Sequence, residues 1–491
     1  MQTITGAVRP IGRPEKILQF GEGNFLRAFV DWQIDILNEK TDFNGNVVAV
    51  QPLERGMAEL INAQEGLYTT ILRGVQGGET LEELRTIRSL SRCINCYTGF
   101  DDYLRCAENP ELRFVISNTT EAGIAYDPED RLQDRPPRSF PGKLTVFLYH
   151  RFKHFGGDPA RALVFIPCEL IDKNGDRLRE IIERYSSEWG LGEGFSRWLA
   201  CSGFCNSLVD RIVPGYPGEE AGALAARLGY DDRLLDAAEL FHLWVIESPV
   251  DYRAELPLDQ AGLNVIWTRD MSFYRTRKVR ILNGAHTATV LAAFLYGLDT
   301  VEACVRDELV SAFMRKALFE EIIPSMEGSA GELRSYAASV LERFANPYIK
   351  HLLLSISLNS VSKFKTRVLP SITGYFNKTG KLPPALCFSL AALIAFYEGQ
   401  GPDKAELTGS RQGEPYPIRD DEAILRRFAA LYKGLEAGAG TRAEIVHEVL
   451  GCSEFWGEDL RAYTGLEDIV AGYLEAISRE GIKAVLEQVA R

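Results

Sequence analysis

One short stretch, Arg277-Lys278-Val279-Arg280-Ile281-Leu282-Asn283-Gly284-Ala285-His286, places a lysine, an amide and an imidazole at close spacing. An α-helix advances about 100° per residue, so the five-residue step from Lys278 to Asn283 turns about 140° and the eight-residue step to His286 about 80°. The three side chains then share one broad arc, with Asn283 and His286, three apart, as direct neighbours. These are parts for carbonyl–alcohol chemistry. A lysine of depressed pKa takes or gives a hydroxyl proton, an amide holds a developing oxyanion, and an imidazole binds a neighbouring hydroxyl. The plainer alternative is a solvated lysine beside a satisfied core histidine, and spacing alone leaves both open.

A second candidate follows the first apolar run: Gly21-Glu22-Gly23-Asn24-Phe25-Leu26-Arg27. A strand, Gly-x-Gly and a helix in that order let backbone amides approach a pyrophosphate. The third glycine of the dinucleotide fingerprint would fall at Leu26. An acid for the adenosine ribose would close the second strand, where Gln51 stands, with Glu54 somewhat beyond. An ordinary glycine turn fits the pattern as well, and these residues do not choose between NAD and NADP.

The elements that must position these groups follow from the apolar pattern. Ile17–Phe20, Val47–Gln51, Thr69–Leu72, Phe114–Ser117 and Leu163–Pro167 are strand candidates. Between them lie helical spacings such as Phe25, Phe29, Trp32 and Ile36. From about Ala223 long helical patterns dominate: Leu234–Glu247, Ala285–Tyr296, Asp307–Ile322, Leu333–Arg343, Leu386–Tyr397 and Ile469–Gln488. The expected fold is α/β: a Rossmann-like doubly wound domain over residues 1–222, then a mainly α-helical substrate and catalytic domain over residues 223–491. Tyr126–Gly142 and Glu398–Pro417 are expected as surface loops.

Composition narrows the classes. The 491 residues carry 46% hydrophobic and 25% charged residues, enough apolar material for two or three packed domains. A net charge of -13 argues against nucleic acid as a partner, and an anionic substrate would need a local positive pocket against that field. No membrane partner is expected, because Ala385–Tyr397 is too short to span a bilayer. The N-terminus has no apolar stretch of the secretory kind, and nine irregularly spaced cysteines suggest reduced thiols, so a cytoplasmic location is expected. No metal is expected either. Cys93-x-x-Cys96 has no second pair at metal spacing, His150 and His154 flank no base, and Asn118-Thr119-Thr120 matches a glycosylation acceptor by pattern only.

Taken together, the motifs resemble the polyol-specific long-chain dehydrogenases, the mannitol dehydrogenase family. Lys278-x4-Asn283-x2-His286 matches its catalytic signature and Gly21-x-Gly23-x-Phe25-x-Arg27 its nucleotide loop. Ser117-Asn118-Thr119-Thr120-Glu121-Ala122-Gly123 resembles its Thr-Glu-x-Gly stretch, and Val209-Asp210-Arg211 its segment near the substrate. The similarity runs in order over essentially the whole chain. It implies catalysis by Lys278, Asn283 and His286, and NAD (NADH) bound by Phe20, Gly21, Gly23, Asn24, Phe25, Asn118, Thr119 and Glu121. It also implies a small-molecule substrate held by Val209, Asp210, Lys363 and Arg367; a monomer or a small homo-oligomer is expected, and the sequence does not choose between them.

Gln19–Gln33, Pro167–Asp172 and Asn346-Pro347-Tyr348-Ile349-Lys350-His351 are similar to members that act on a keto sugar acid. A sugar acid needs a cation for its carboxylate, for which Lys363 and Arg367 are candidates, although a solvated basic loop would read the same. One departure is Cys168-Glu169-Leu170, where mannitol and mannonate enzymes carry Cys-Asp-Asn, so a second oxyanion amide is missing. The rival classes are those mannitol and mannonate activities, a zinc alcohol dehydrogenase, and an inactive sugar-acid or nucleotide sensor. A sensor would have no use for a proton donor at Lys278.

Overall fold

Six short strands build the sheet that carries the glycine turn. They are β1 (Glu15–Phe20), β2 (Asn46–Gln51), β3 (Leu90–Asn95), β4 (Phe114–Ser117), β5 (Val164–Pro167) and β6 (Gly203–Phe204). All are parallel, in spatial order 3-2-1-4-5-6. That order reverses between β1 and β4, and a doubly wound sheet opens its ligand crevice at such a reversal, beyond the carboxyl ends of the strands. Phe20, the last residue of β1, is in register with Val50 and Ser117. Residues 18, 20, 48, 50 and 115 face one apolar layer and residues 17, 47, 49, 114 and 116 the other, so both faces of the sheet are covered.

The computed structural model describes all residues except Glu121 and residues 402–406. It forms two compact units, Met1–Arg73 with Thr80–Ser272, and Gly74–Glu79 with Phe273–Arg491. The division lies downstream of the boundary expected after residue 222, because Leu234–Glu247 is not a helix. It forms two strands, Asp236–Glu239 and Leu243–Glu247. The first pairs with Tyr68–Gln76, the second with Asn206–Asp210 and Val265–Thr268. Nearly every residue in the two strands is buried, the charged Asp236 and Glu239 included, so neither face carries a polar stripe whose period would separate strand from helix. Thr69–Leu72 is a strand as expected, but of this smaller sheet; Leu90–Asn95 takes its place in the large one.

Helix α1 starts at Asn24 and runs to Lys40, with a π segment at Arg27–Asp31. Every residue of the π segment is buried, Arg27 and Asp31 included. The Arg27 guanidinium donates to Leu234 O (2.7 Å) and Asn24 Oδ1 (2.6 Å) and lies 3.7 Å from Asp236. Tyr68 Oη donates to Arg27 O and Asp31 Oδ2, and Gln19 Nε2 also reaches Asp31.

In the second unit, helix α2 comprises Ser272–Arg277, a π segment Lys278–Asn283 and Gly284–Tyr296. Around it lie α3 (Ala330–Phe344), α4 (Ser360–Arg367) and α5 (Pro384–Phe396), the last buried from Ala385 to Phe396. No helix among the described residues is long and apolar enough to cross a membrane. The described part of Glu398–Pro417 is not a plain loop: Leu407–Arg411 and Glu414–Ile418 pair antiparallel. Ile469–Gln488 is split into two helices at Gly481, where φ is +85°.

Burial pushes the Asp31 carboxyl from 3.8 up to about 7. Above pH 3.8 the unfolded chain releases this proton while the folded chain keeps it. Its contribution to stability is therefore complete below that pH and is lost as pH rises to about 7. Asp31→Asn should flatten this fall by on the order of 4 kcal/mol in denaturant titrations across that range. Parallel pH profiles for the two proteins would mean that Asp31 stays ionised when folded.

Candidate functional site

The first part of the site is built at the switch point of the sheet. Gly21 leaves β1 at φ +110°, and a Cβ there would meet Asn118 O at 2.8 Å, so only glycine lets the two walls come this close. Gly23 is the N-cap of α1, has no capping side chain, and faces open space where its Cβ would be. The first amides of α1 are left for an anion. A cleft of about 600 Å³ opens here, lined by Gly21, Gly23, Asn118, Thr119 and Gly123 among others. The residues fit a dinucleotide pyrophosphate.

The side chains expected around the cofactor are engaged within the protein itself. Phe20 is fully buried against Tyr103 and Phe140, and its carbonyl accepts from Asn118 N (3.0 Å). The Asn24 side chain is taken by Arg27, while Phe25 stacks on Phe29 at 5.0 Å. Gln51, where an acid was expected, builds the next loop instead. It donates to Leu53 O and Glu54 O and accepts from Ala58 N (2.9 Å). Glu121 lies outside the described residues.

The opposite wall depends on Glu169, whose role the sequence reading missed. Its carboxylate accepts from Ser117 Oγ (3.0 Å), Thr119 N (2.9 Å) and Thr119 Oγ1 (2.9 Å), and so fixes the chain as it leaves β4. Burial pushes this carboxyl above its ordinary range, and the donated hydrogen bonds pull the other way. The neighbouring Leu170 is 62% exposed. The available signal was the Cys168-Glu169-Leu170 phrase itself, set apart by the missing amide and not by the acid present.

The second part of the site lies in the second unit. The expected α-helical phase is corrected here: Lys278–Asn283 is a π segment with i→i+5 bonding, so Asn283 follows Lys278 by roughly one turn and shares its face. Arg277 anchors the preceding turn through Glu332 (2.7 Å) and the Tyr336 ring (4.4 Å). Arg280 holds Ser371 Oγ (2.7 Å) and Ser325 Oγ (2.8 Å). Gly284 permits another close approach, since a Cβ would meet Arg367 O at 3.1 Å. Lys278 and Asn283 are half-buried.

His286 is 8% exposed, and its Nε2 has no hydrogen-bond partner. Phe344 stacks on its ring at 4.0 Å, and His351 meets it edge-on at 5.3 Å. Burial, with His351, Arg343 and Arg367 nearby, holds His286 well below the usual imidazole range, so the ring is neutral. Lys363 and Arg367 are not in a loop; they are one turn apart on α4 and half-buried. Burial lowers both, and each adds to a cationic surrounding.

Val209 and Asp210 are buried at the end of strand Asn206–Asp210 in the first unit, Val209 within its apolar core. Cys93 and Cys96 are buried thiols pushed up by desolvation. His150 pairs with Glu108 (2.8 Å). Among the described residues no group of three or more His, Cys, Asp or Glu is placed to hold a metal ion.

Comparison with known proteins matches residues 15–260 to the mannitol dehydrogenase Rossmann domain and residues 270–478 to the mannitol dehydrogenase C-terminal domain. The altronate oxidoreductase of Yersinia enterocolitica is 48% identical over 99% of both chains. That of Enterobacter sp. (strain 638) is 49% identical over 97% of both. Among solved structures, a substrate-free D-sorbitol dehydrogenase has a TM-score of 0.77 at 22% identity, covering 99% of this chain and 96% of that one. Pseudomonas fluorescens mannitol 2-dehydrogenase, in ternary complex with NAD and D-mannitol, has a TM-score of 0.65 at 20% identity, covering 97% and 94%. These two share the fold.

Glu169→Gln replaces an acceptor with a group that is half donor. It should cost about 1–3 kcal/mol in urea unfolding and weaken binding of a dinucleotide titrated by fluorescence. Unchanged stability and unchanged affinity would mean that the loop after β4 is held without Glu169.

Proposed function

We propose the reaction of this protein from one premise: the chain belongs to the mannitol dehydrogenase family. The reading is an NAD-dependent oxidoreductase that interconverts D-tagaturonate and D-altronate. What carries it is identity of 48–49% over nearly the full length to proteins named altronate oxidoreductase. The glycine turn and the Lys278–Asn283 π segment agree with that chemistry.

In oxidation, Lys278 in its amine form accepts the alcohol proton at Nζ; in reduction its ammonium form returns it. Asn283 donates its amide N–H to the carbonyl oxygen as charge develops there. Neutral His286, with Nε2 unpartnered, orients the substrate through a hydroxyl. NAD held in this cleft would supply the hydride acceptor for oxidation of the carbinol carbon, and NADH the hydride donor for the reverse direction. The backbone of Gly21, Gly23 and Asn24, with Phe20, Phe25, Asn118 and Thr119 framing the cleft, holds the nucleotide. Val209 and Asp210 contribute to substrate binding, and Lys363 and Arg367 answer the carboxylate.

The test is NADH oxidation at neutral pH with tagaturonate, fructuronate and fructose in parallel, beside Lys278→Ala. Turnover confined to tagaturonate and reduced about 10³-fold by the substitution is expected. Preference for fructuronate or fructose would move the substrate assignment to another member of the family. No turnover with any of them would overturn the enzymatic reading.

A further inference from the structure

His351 lies in the turn after α3, where the main chain is pinned on both sides. Val301 N donates to His351 O (3.1 Å) and Leu353 N to Asp299 O (2.9 Å). The backbone is therefore fixed, yet among the described residues the imidazole has no hydrogen-bond partner, although it is half-buried. Its neighbours are cationic or neutral: the ring of His286 at 5.3 Å, and Lys363, which acts on it electrostatically.

The surrounding donors are only partly used. Lys363 Nζ gives one hydrogen to Ile356 O (2.9 Å), and Arg367 makes one long contact with Thr287 Oγ1 (3.5 Å). Among the described residues no carboxylate is paired with Arg367. Asp420 is the acid that faces Lys363, but its oxygens already accept from Tyr397 Oη, Val361 N and Asp421 N. A partly buried cation such as Arg367, with no carboxylate of the chain's own paired to it among the described residues, is costly unless a bound group supplies an anion.

We propose that His351 is a specificity-determining residue whose imidazole N–H, together with Arg367 and Lys363, receives the carboxylate of the sugar acid. The proposal rests on the sugar-acid reading above. Burial and Lys363 hold His351 below the usual imidazole range, which leaves one N–H to donate without adding a further charge. A carboxylate has lone pairs for the Arg367 fork and for a second donor at once. The hydroxymethyl group of a neutral ketose would leave these cations unanswered.

Two variants separate recognition from packing. His351→Phe keeps a flat ring against His286 and removes the donor; His351→Gln keeps a donor and removes the ring. With NADH saturating, His351→Phe should raise KM for tagaturonate about 10- to 100-fold and leave kcat within about threefold. His351→Gln should recover most of that loss. With D-tagatose, the neutral counterpart, all three proteins should be equally slow, and NADH affinity should be unchanged. A defect in His351→Gln that His351→Phe does not share would assign His351 to packing and overturn the proposal. So would normal KM values in both variants. A wild-type protein inert towards tagaturonate and fructuronate but active on a neutral ketose such as fructose would instead overturn the sugar-acid reading, and the proposal with it.

Discussion

A buried guanidinium sets the terms for the nucleotide-binding unit. Arg27 is 1% exposed, and a charge so placed must find its partners inside the protein. It does so by drawing together the Asn24 side chain at the glycine turn, the Leu234 carbonyl, the Asp236 carboxyl and the ring of Tyr68. Arg27 and Asp31 stand at the two ends of the π segment, and all five of its residues are buried. The start of α1 is thus tied to chain more than two hundred residues away in sequence, and the open amides after Gly23 sit on a fixed base. Tyr68 and Gln19 complete the arrangement by engaging Asp31.

The two units offer an anion different partners. The cleft in the first is made from glycine backbone and a helix start, and a buried acid, Glu169, shapes one wall by accepting hydrogen bonds. Such a site binds phosphate through amide dipoles and needs no cation. The second unit gathers His286, His351, Lys363 and Arg367 in a protein of net charge -13. Local concentration of positive charge against an acidic background both attracts an anion and confines it to one place.

The sequence made the parallel sheet legible where short β-branched runs alternate with amphipathic helices: β1, β2, β4 and β5 stand close to where those runs lie. It failed where burial is complete. Leu234–Glu247 has apolar residues at every phase, so its helical spacing meant nothing, and strand pairing with Tyr68–Gln76 and Asn206–Asp210 decided its form. Residue types at the site were readable, but not their phase, because a π segment breaks the 3.6-residue period on which the angles rested. Glu169 was quoted as part of a motif, yet its work depends on a partner about fifty residues away, Ser117, which no local pattern records.

The π segment makes chain length, and not only residue identity, part of the site. Within Lys278–Asn283 the helix spends one residue more per turn than an α-helix would. Both ends of that surplus are fastened, before it by Arg277 on Glu332 and after it by Gly284 against the Arg367 carbonyl. A deletion inside it would let the helix relax to the commoner geometry, with a different side chain standing over Asn283 and the anchors unmoved. Drift among relatives should then be wider at half-buried Val279 than at fully buried Ile281, and closed to any change in count, a restraint that substitutions alone would never reveal.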